Sequence, residues 1–178
     1  MQDKVELVSL IDAIEPVLST VKDDEYWKQY TKFGGKFWFG IHLAILNEPY
    51  LSKILDGTKT VESRFSKNMI APYKTVVSKD MLLLKRSSGP VVGFCAVVKP
   101  WFFCLHDVPL SRIKIEFGPR LGIEDPDAFW EGRKDASFAT MMEIDHVVKI
   151  QPFNVVKNDR RPWVTIHVGS GRGLLAFT

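Results

Sequence analysis

Apolar residues recur at helical spacing along the first forty positions. Leu7, Ile11, Ile14, Leu18 and Val21 follow one another at steps of three and four, which makes one stripe on one helix face. Pro16 falls inside the stripe, where a proline removes a backbone donor and crowds the carbonyl four residues back, so two short helices or one kinked helix are expected. A second helical piece is expected from residue 23 to about residue 32, stopping before Gly34-Gly35. From Phe37 the period changes, and residues 37–45, aromatic and β-branched, read as a strand. Asn47-Glu48-Pro49 then opens a short helix carrying Tyr50, Leu51, Ile54 and Leu55, and Gly57 terminates it.

Residues 60–65, 81–85 and 91–98 read as further strands, the last apolar enough to be buried on both faces. Residues 110 to about 121 are expected to be helical, with Ile113, Phe117 and Leu121 on one face, and Asp125-Pro126 starts another short helix. Residues 138–150 and 163–168 look extended. Strands interleave with helices but regular βαβ repetition is absent, which predicts an α+β fold: a mixed sheet rolled into a small barrel with flanking helices. A helical N-terminal extension, residues 1–40, would precede a domain spanning residues 41–178.

Composition is that of a globular protein, 46% hydrophobic and 25% charged over 178 residues, which excludes disordered and fibrous classes. Cys95 and Cys104 both lie in apolar surroundings and read as buried, reduced thiols in a reducing compartment. The chain opens without an apolar signal-peptide core, and Lys99-Pro100 interrupts its most apolar stretch, so no membrane span and a cytoplasmic location are expected. Net charge is only +3, but residues 53–86 hold eight Lys and Arg against three Asp and Glu. Such local excess attracts phosphate.

The segment Gly57-Thr58-Lys59-Thr60-Val61-Glu62-Ser63-Arg64 holds the candidate chemistry. On a strand, Glu62 and Arg64 share a face, about 7 Å apart at the backbone and within reach of each other's side chains. Lys59 has the wrong parity and joins them only from the turn after Gly57. Opposite charges so close should keep Lys59 protonated against the effect of Arg64. The same spacing is also that of an ordinary structural ion pair.

These positions resemble the hallmark of the ASCH domain, Gly-x-Lys-x-x-Glu-x-Arg, at Gly57, Lys59, Glu62 and Arg64, and the resemblance covers residues 41 to about 168. It implies a PUA-like mixed β-barrel with a cleft beside the motif, and a link to RNA or to modified nucleobases. For small amidohydrolases of acylated cytidine in the family, the lysine role maps onto Lys59, but their threonine falls on Glu62 here. The family often places Gly-Asp before the strand at Met81, where this chain has Lys79-Asp80.

Three functions follow. In the first, Lys59, Glu62 and Arg64 bind RNA or a modified nucleoside, with Tyr73 or Trp163 stacking on a base. In the second, a small hydrolase, an amidohydrolase on acylated cytidine or a ribonuclease as the resemblance implies, uses Lys59 as base or nucleophile and Glu62 as proton shuttle. In the third, the N-terminal helices bind a protein partner through the Leu7–Val21 stripe. His42, His106, His146 and His167 are scattered without ligand spacing, so no metal or other cofactor is expected. Lys157, Arg160 and Arg161 form a short basic loop, and Gly169-Ser170-Gly171-Arg172-Gly173 reads as a flexible tail rather than a phosphate loop.

Overall fold

The structure, a computed structural model, describes residues 4–6, 10–156 and 160–170, with backbone alone at residues 4–6 and 33. Its first elements are β1 (Lys4–Glu6), α1 (Ile14–Ser19), a 3₁₀ turn at Trp27–Gln29, β2 (Lys32–Phe33), β3 (Lys36–Phe37) and β4 (Ile41–Leu46). Next come α2 (Tyr50–Leu55), β5 (Val61–Ser66), β6 (Met81–Arg86), β7 (Val91–Cys104) and α3 (Leu110–Phe117). A 3₁₀ turn (Gly118–Arg120), α4 (Pro126–Glu131), β8 (Phe138–Val156) and β9 (Trp163–His167) complete the order.

Seven strands make one curled mixed sheet, a half-barrel in the order β5-β8-β7-β6-β4-β9, with β1 added beside the end of β8. The β4–β6 and β1–β8 pairs are parallel and the others antiparallel. Period-two alternation sends side chains of the central strands to two different cores. Ile41, Leu43, Met81, Leu83, Phe94 and Ala96 face one way; Ala44, Leu46, Leu82, Leu84, Cys95 and Val97 face the other, toward Leu51 and Ile54 of α2. Both faces are dry, which accounts for the unbroken apolar run of residues 91–98. A third cluster packs Ile113, Phe117, Phe129 and Trp130 of α3 and α4 against Val61, Ala139 and Met141.

The N-terminal extension is not the expected pair of helices. Among its described residues only Ile14–Ser19 is α-helical, and Pro16 sits in its first turn, where a backbone N–H has no intrahelical partner to lose. Residues 23–32 form no helix beyond the 3₁₀ turn, because the Asp24 carboxylate accepts from the amides of Tyr26 and Trp27, both at 2.9 Å, and closes a tighter turn. Gly34-Gly35 is not a helix stop but the two-residue turn of the β2–β3 hairpin, with φ of 57° and 78°. The expected strand 37–45 is interrupted at residues 38–40, which separate β3 from β4.

The apolar stripe survives this revision. Leu10, Ile14 and Leu18 are buried with Trp27, Tyr30 and Phe37 against the outer face of the sheet. Of the described part of the stripe, Ile14 and Leu18 are buried in the chain's own core and Ile11 and Val21 are half-buried against it; Leu7 lies outside the described residues. At the other end, Gly169 approaches the backbone of Trp38 so closely that a Cβ would lie 2.4 Å from its carbonyl oxygen, and Ser170 donates to the Phe37 carbonyl. The start of the glycine-rich segment is thus packed rather than a free tail, while residues 171–178 and Lys157 lie outside the described residues.

Strand β7 runs through Lys99-Pro100 instead of ending there. Its pairing with β6 stops at Ala96, so beyond that point one edge needs no ladder donor and a proline fits. The turn before β6 also keeps its shape without a glycine. Lys79 adopts φ 71°, a conformation glycine takes easily, and Asp80 accepts from the amides of Gly40 and Val77 while lying 2.9 Å from His42 Nε2.

Gly57 sets the turn that precedes β5, at φ 82°, with no atom within 4 Å of where a Cβ would stand. The cost of a side chain there is backbone strain alone. We expect Gly57→Ala to lose about 1–2 kcal/mol in urea unfolding, and Gly57→Asn to lose less, since asparagine tolerates the left-handed region.

Candidate functional site

The turn after α2 is built by short-range hydrogen bonds. Thr58 is tied to the Asp56 carboxylate through its amide and hydroxyl, and the Lys59 amide donates 2.8 Å to the Lys53 carbonyl. Lys59 therefore leaves the helix end before the strand begins at Val61, and its side chain is free of strand parity. Gly122 backs its stem: a Cβ there would stand 3.1 Å from the Lys59 Cβ.

The three charged side chains meet at one carboxylate. Lys59 Nζ lies 3.2 Å from Glu62 Oε2, and Arg64 Nε lies 2.9 Å from Glu62 Oε1. Lys59 is 3% exposed and Glu62 4%. The ammonium also donates 2.5 Å to the Val61 carbonyl and sits 5.6 Å from the centre of the Tyr50 ring.

Arg64 reaches further. Its Nη1 donates to the Pro162 carbonyl at 3.0 Å and its Nη2 to the Ile45 carbonyl at 3.1 Å, while its guanidinium stands 5.4 Å from the Trp163 ring centre. The β4–β9 ladder stops at Ala44 and Trp163, so these two carbonyls lie just past its end. Strand β5 is one end of the sheet order and β9 the other. Arg64, on edge strand β5, thus reaches the carbonyls beside the other edge strand, β9, with both Nη groups donating to them.

Beside this triad lies a cavity of about 150 Å³. Tyr50 and Phe129 give it aromatic walls, and Asn47, Lys59, Glu62, Arg64 and Arg133 give it polar ones. Tyr73 and Trp163 do not line it. Tyr73 is buried against Phe102 and Phe138, and Trp163 packs near His42 and borders a separate, larger cavity on the far side of Arg64.

Tyr50, Phe129 and Arg133 were not singled out by sequence reasoning. Nothing local marks Arg133, which follows α4 and reaches the motif only through the fold. The His42–Asp80 contact, completed by His42 Nδ1 at 3.2 Å from the Thr165 hydroxyl, was likewise invisible, since 38 positions separate the pair. Among the described residues, no three His, Cys, Asp or Glu side chains gather as metal ligands would.

The basic run 53–86 does not form one anion-binding face. Lys53 pairs with Glu124 and the Gly122 carbonyl, Lys85 donates to the carbonyls of Arg86 and Gly89, and Arg86 pairs with Glu48. With Lys59 and Arg64, five of its eight cations are engaged within the protein.

Electrostatics revise one expectation. Burial pushes the Lys59 ammonium below its ordinary value, outweighing the nearby Glu62 carboxylate, which raises it; Arg64 and Arg133 add to the lowering. The unfolded chain then binds that proton more tightly than the folded one. Lys59 costs stability below its folded-state value, and the cost disappears as pH rises to the unfolded lysine value of about 10.4. Burial shifts the Tyr30 hydroxyl and Cys95 thiol upward, which acts in the opposite direction at alkaline pH, so Lys59→Met is the proper reference. We expect the stability of the wild type minus that of Lys59→Met to grow between neutral pH and about pH 10 in urea unfolding; a difference that does not change with pH would contradict the lowered value.

No protein-family model matches the sequence, and no curated protein is significantly similar to it. Solved structures are similar. ASCH from Zymomonas mobilis matches with a TM-score of 0.56 at 13% identity, over 77% of this chain and 94% of that one. Its tyrosine-to-phenylalanine mutant matches at 0.55 and 14% identity over 77% and 97%, and its serine-to-alanine mutant at 0.56 and 13% over 76% and 94%. The curled mixed sheet described above is an ASCH-like fold.

Proposed function

We propose that this is an ASCH-domain protein that holds one nucleobase, either modified and free or unstacked from an RNA strand, in the cavity beside Gly57-x-Lys59-x-x-Glu62-x-Arg64. The observation that carries the reading is the size and lining of that cavity. A volume of about 150 Å³ is known to accept a single six-membered ring, and this one has that volume, with Tyr50 and Phe129 in its lining, their ring centres 6.3 Å apart and their planes inclined at 59°. Tyr50 offers ring surface to a base, and the Asn47 amide beside the Lys59–Glu62–Arg64 cluster can meet the donors and acceptors of a base edge. A base pair or a stacked duplex is too large for it.

One observation favours a second reading. A lysine whose ammonium is destabilised by burial, beside a carboxylate, is suited to acid–base work on an acylated base. Against it stands Glu62, which occupies the place of the amidohydrolase threonine and already accepts from two cations.

Equilibrium dialysis against nucleosides, N-acylated cytidine and short single-stranded RNA, read by mass spectrometry, tests both. We expect the wild type to retain a nucleoside or RNA unaltered and Tyr50→Ala to retain several-fold less. Retention of none would overturn the proposal. A deacylated or cleaved product that Lys59→Met fails to make would establish the enzyme instead.

A further inference from the structure

The cations lining the small cavity differ in one respect. Lys59 and Arg64 are both ion-paired with Glu62 and donate to the carbonyls of Val61, Ile45 and Pro162, although the buried Arg64 Nε, 2.9 Å from Glu62 Oε1, is not aligned for a hydrogen bond. Arg133 has no such ion pair. Its Nη1 donates 2.7 Å to the Phe129 carbonyl, but its Nε is buried without a hydrogen-bond partner, and among the described residues no carboxylate lies within ion-pair distance. The guanidinium stands 3.4 Å from the centre of the Phe129 ring and 5.4 Å from that of Phe65, which hold its plane in place.

Its position is equally specific. Arg133 lies in the wall between the base-sized cavity and a second, open groove of about 630 Å³, and Ser63 and Arg64 border both as well. The groove adds Lys67 and one acid, Asp135, so its charged lining is three cations against one anion. A half-buried guanidinium without a counter-ion is costly, and an anion delivered with the ligand removes that cost. A base seated in the cavity directs its sugar and phosphate outward, toward this groove.

We propose that Arg133 is the phosphate contact of this site, and that the ligand is therefore a nucleotide, free or within an RNA strand, rather than a bare base or nucleoside. The proposal rests on the nucleobase reading above. A guanidinium can meet phosphate oxygens through its Nη donors, and the Phe129 ring and carbonyl hold this one in place. Lys67 supports it from the groove as a point charge.

Calorimetric titration of the full chain with cytidine, uridine, their 5′- and 3′-monophosphates, inorganic phosphate and a five-nucleotide RNA tests this. We expect a monophosphate to bind about tenfold or more tighter than its nucleoside, as a charge-assisted contact gives. Arg133→Gln should bring that ratio near one, Arg133→Lys should keep part of it, and Lys67→Gln should lower it less. For the RNA, two phosphate contacts give a slope of roughly −1.4 for log K against log salt, and a matching preference for RNA over monophosphate would assign the source to a strand. Equal affinity of nucleoside and monophosphate for the wild type would overturn the proposal while leaving the base site standing, whatever the variants do. Binding of neither would overturn both.

Discussion

Removing a carboxylate from water costs several kcal/mol unless cations and hydrogen bonds replace its hydration. Glu62 meets that requirement from both sides, with Lys59 on one oxygen and Arg64 on the other. Each partner is then fixed by what else it must satisfy. Lys59 has to leave the turn at a set angle, which calls for the left-handed backbone at Gly57. Arg64, held at its Nε side by Glu62, spends its remaining donors on the carbonyls of Ile45 and Pro162 and so joins the two edges of the sheet. A charge cluster that looks like binding chemistry in the sequence is, in the fold, first the clasp of a half-barrel.

That structural duty defines what is left for a ligand. With Lys59 and Arg64 paired to Glu62, the cation lining the small cavity that has no carboxylate partner among the described residues is Arg133. Binding and stability are coupled through the same carboxylate, so substitutions in the motif will move both. Tyr50 and Arg133, which stand outside the clasp, separate the two effects more cleanly than Lys59, Glu62 or Arg64.

The sequence made the site's core legible because its logic is local. A helix stop, a turn and a strand occupy eight positions, and parity on the strand is enough to bring Glu62 beside Arg64 and to require Lys59 to come from the turn. The central strands were legible for a related reason, since burial on both faces leaves a continuous apolar run. What stayed hidden depended on distance. The acceptors of Arg64 lie 19 and 98 positions away, and no periodicity points to them. In the N-terminal extension, the apolar spacing was right about burial and wrong about helix, because Asp24 captures the amides that a helix would need and Gly34-Gly35 turns the chain into a hairpin. Charge counting along residues 53–86 misled because five of the eight cations find partners within the protein, three of them (Lys53, Arg64 and Arg86) remote in sequence.

The most direct test is the unfolding free energy of Glu62→Gln, Lys59→Met and the double variant at neutral pH. If Glu62 is the clasp, Glu62→Gln leaves the buried Lys59 and the half-buried Arg64 without their carboxylate and costs about 3–5 kcal/mol, and removing Lys59 as well restores at least about 1 kcal/mol of it. A Glu62→Gln protein within about 1 kcal/mol of the wild type, with additive behaviour in the double variant, would contradict the claim that this carboxylate holds the half-barrel together.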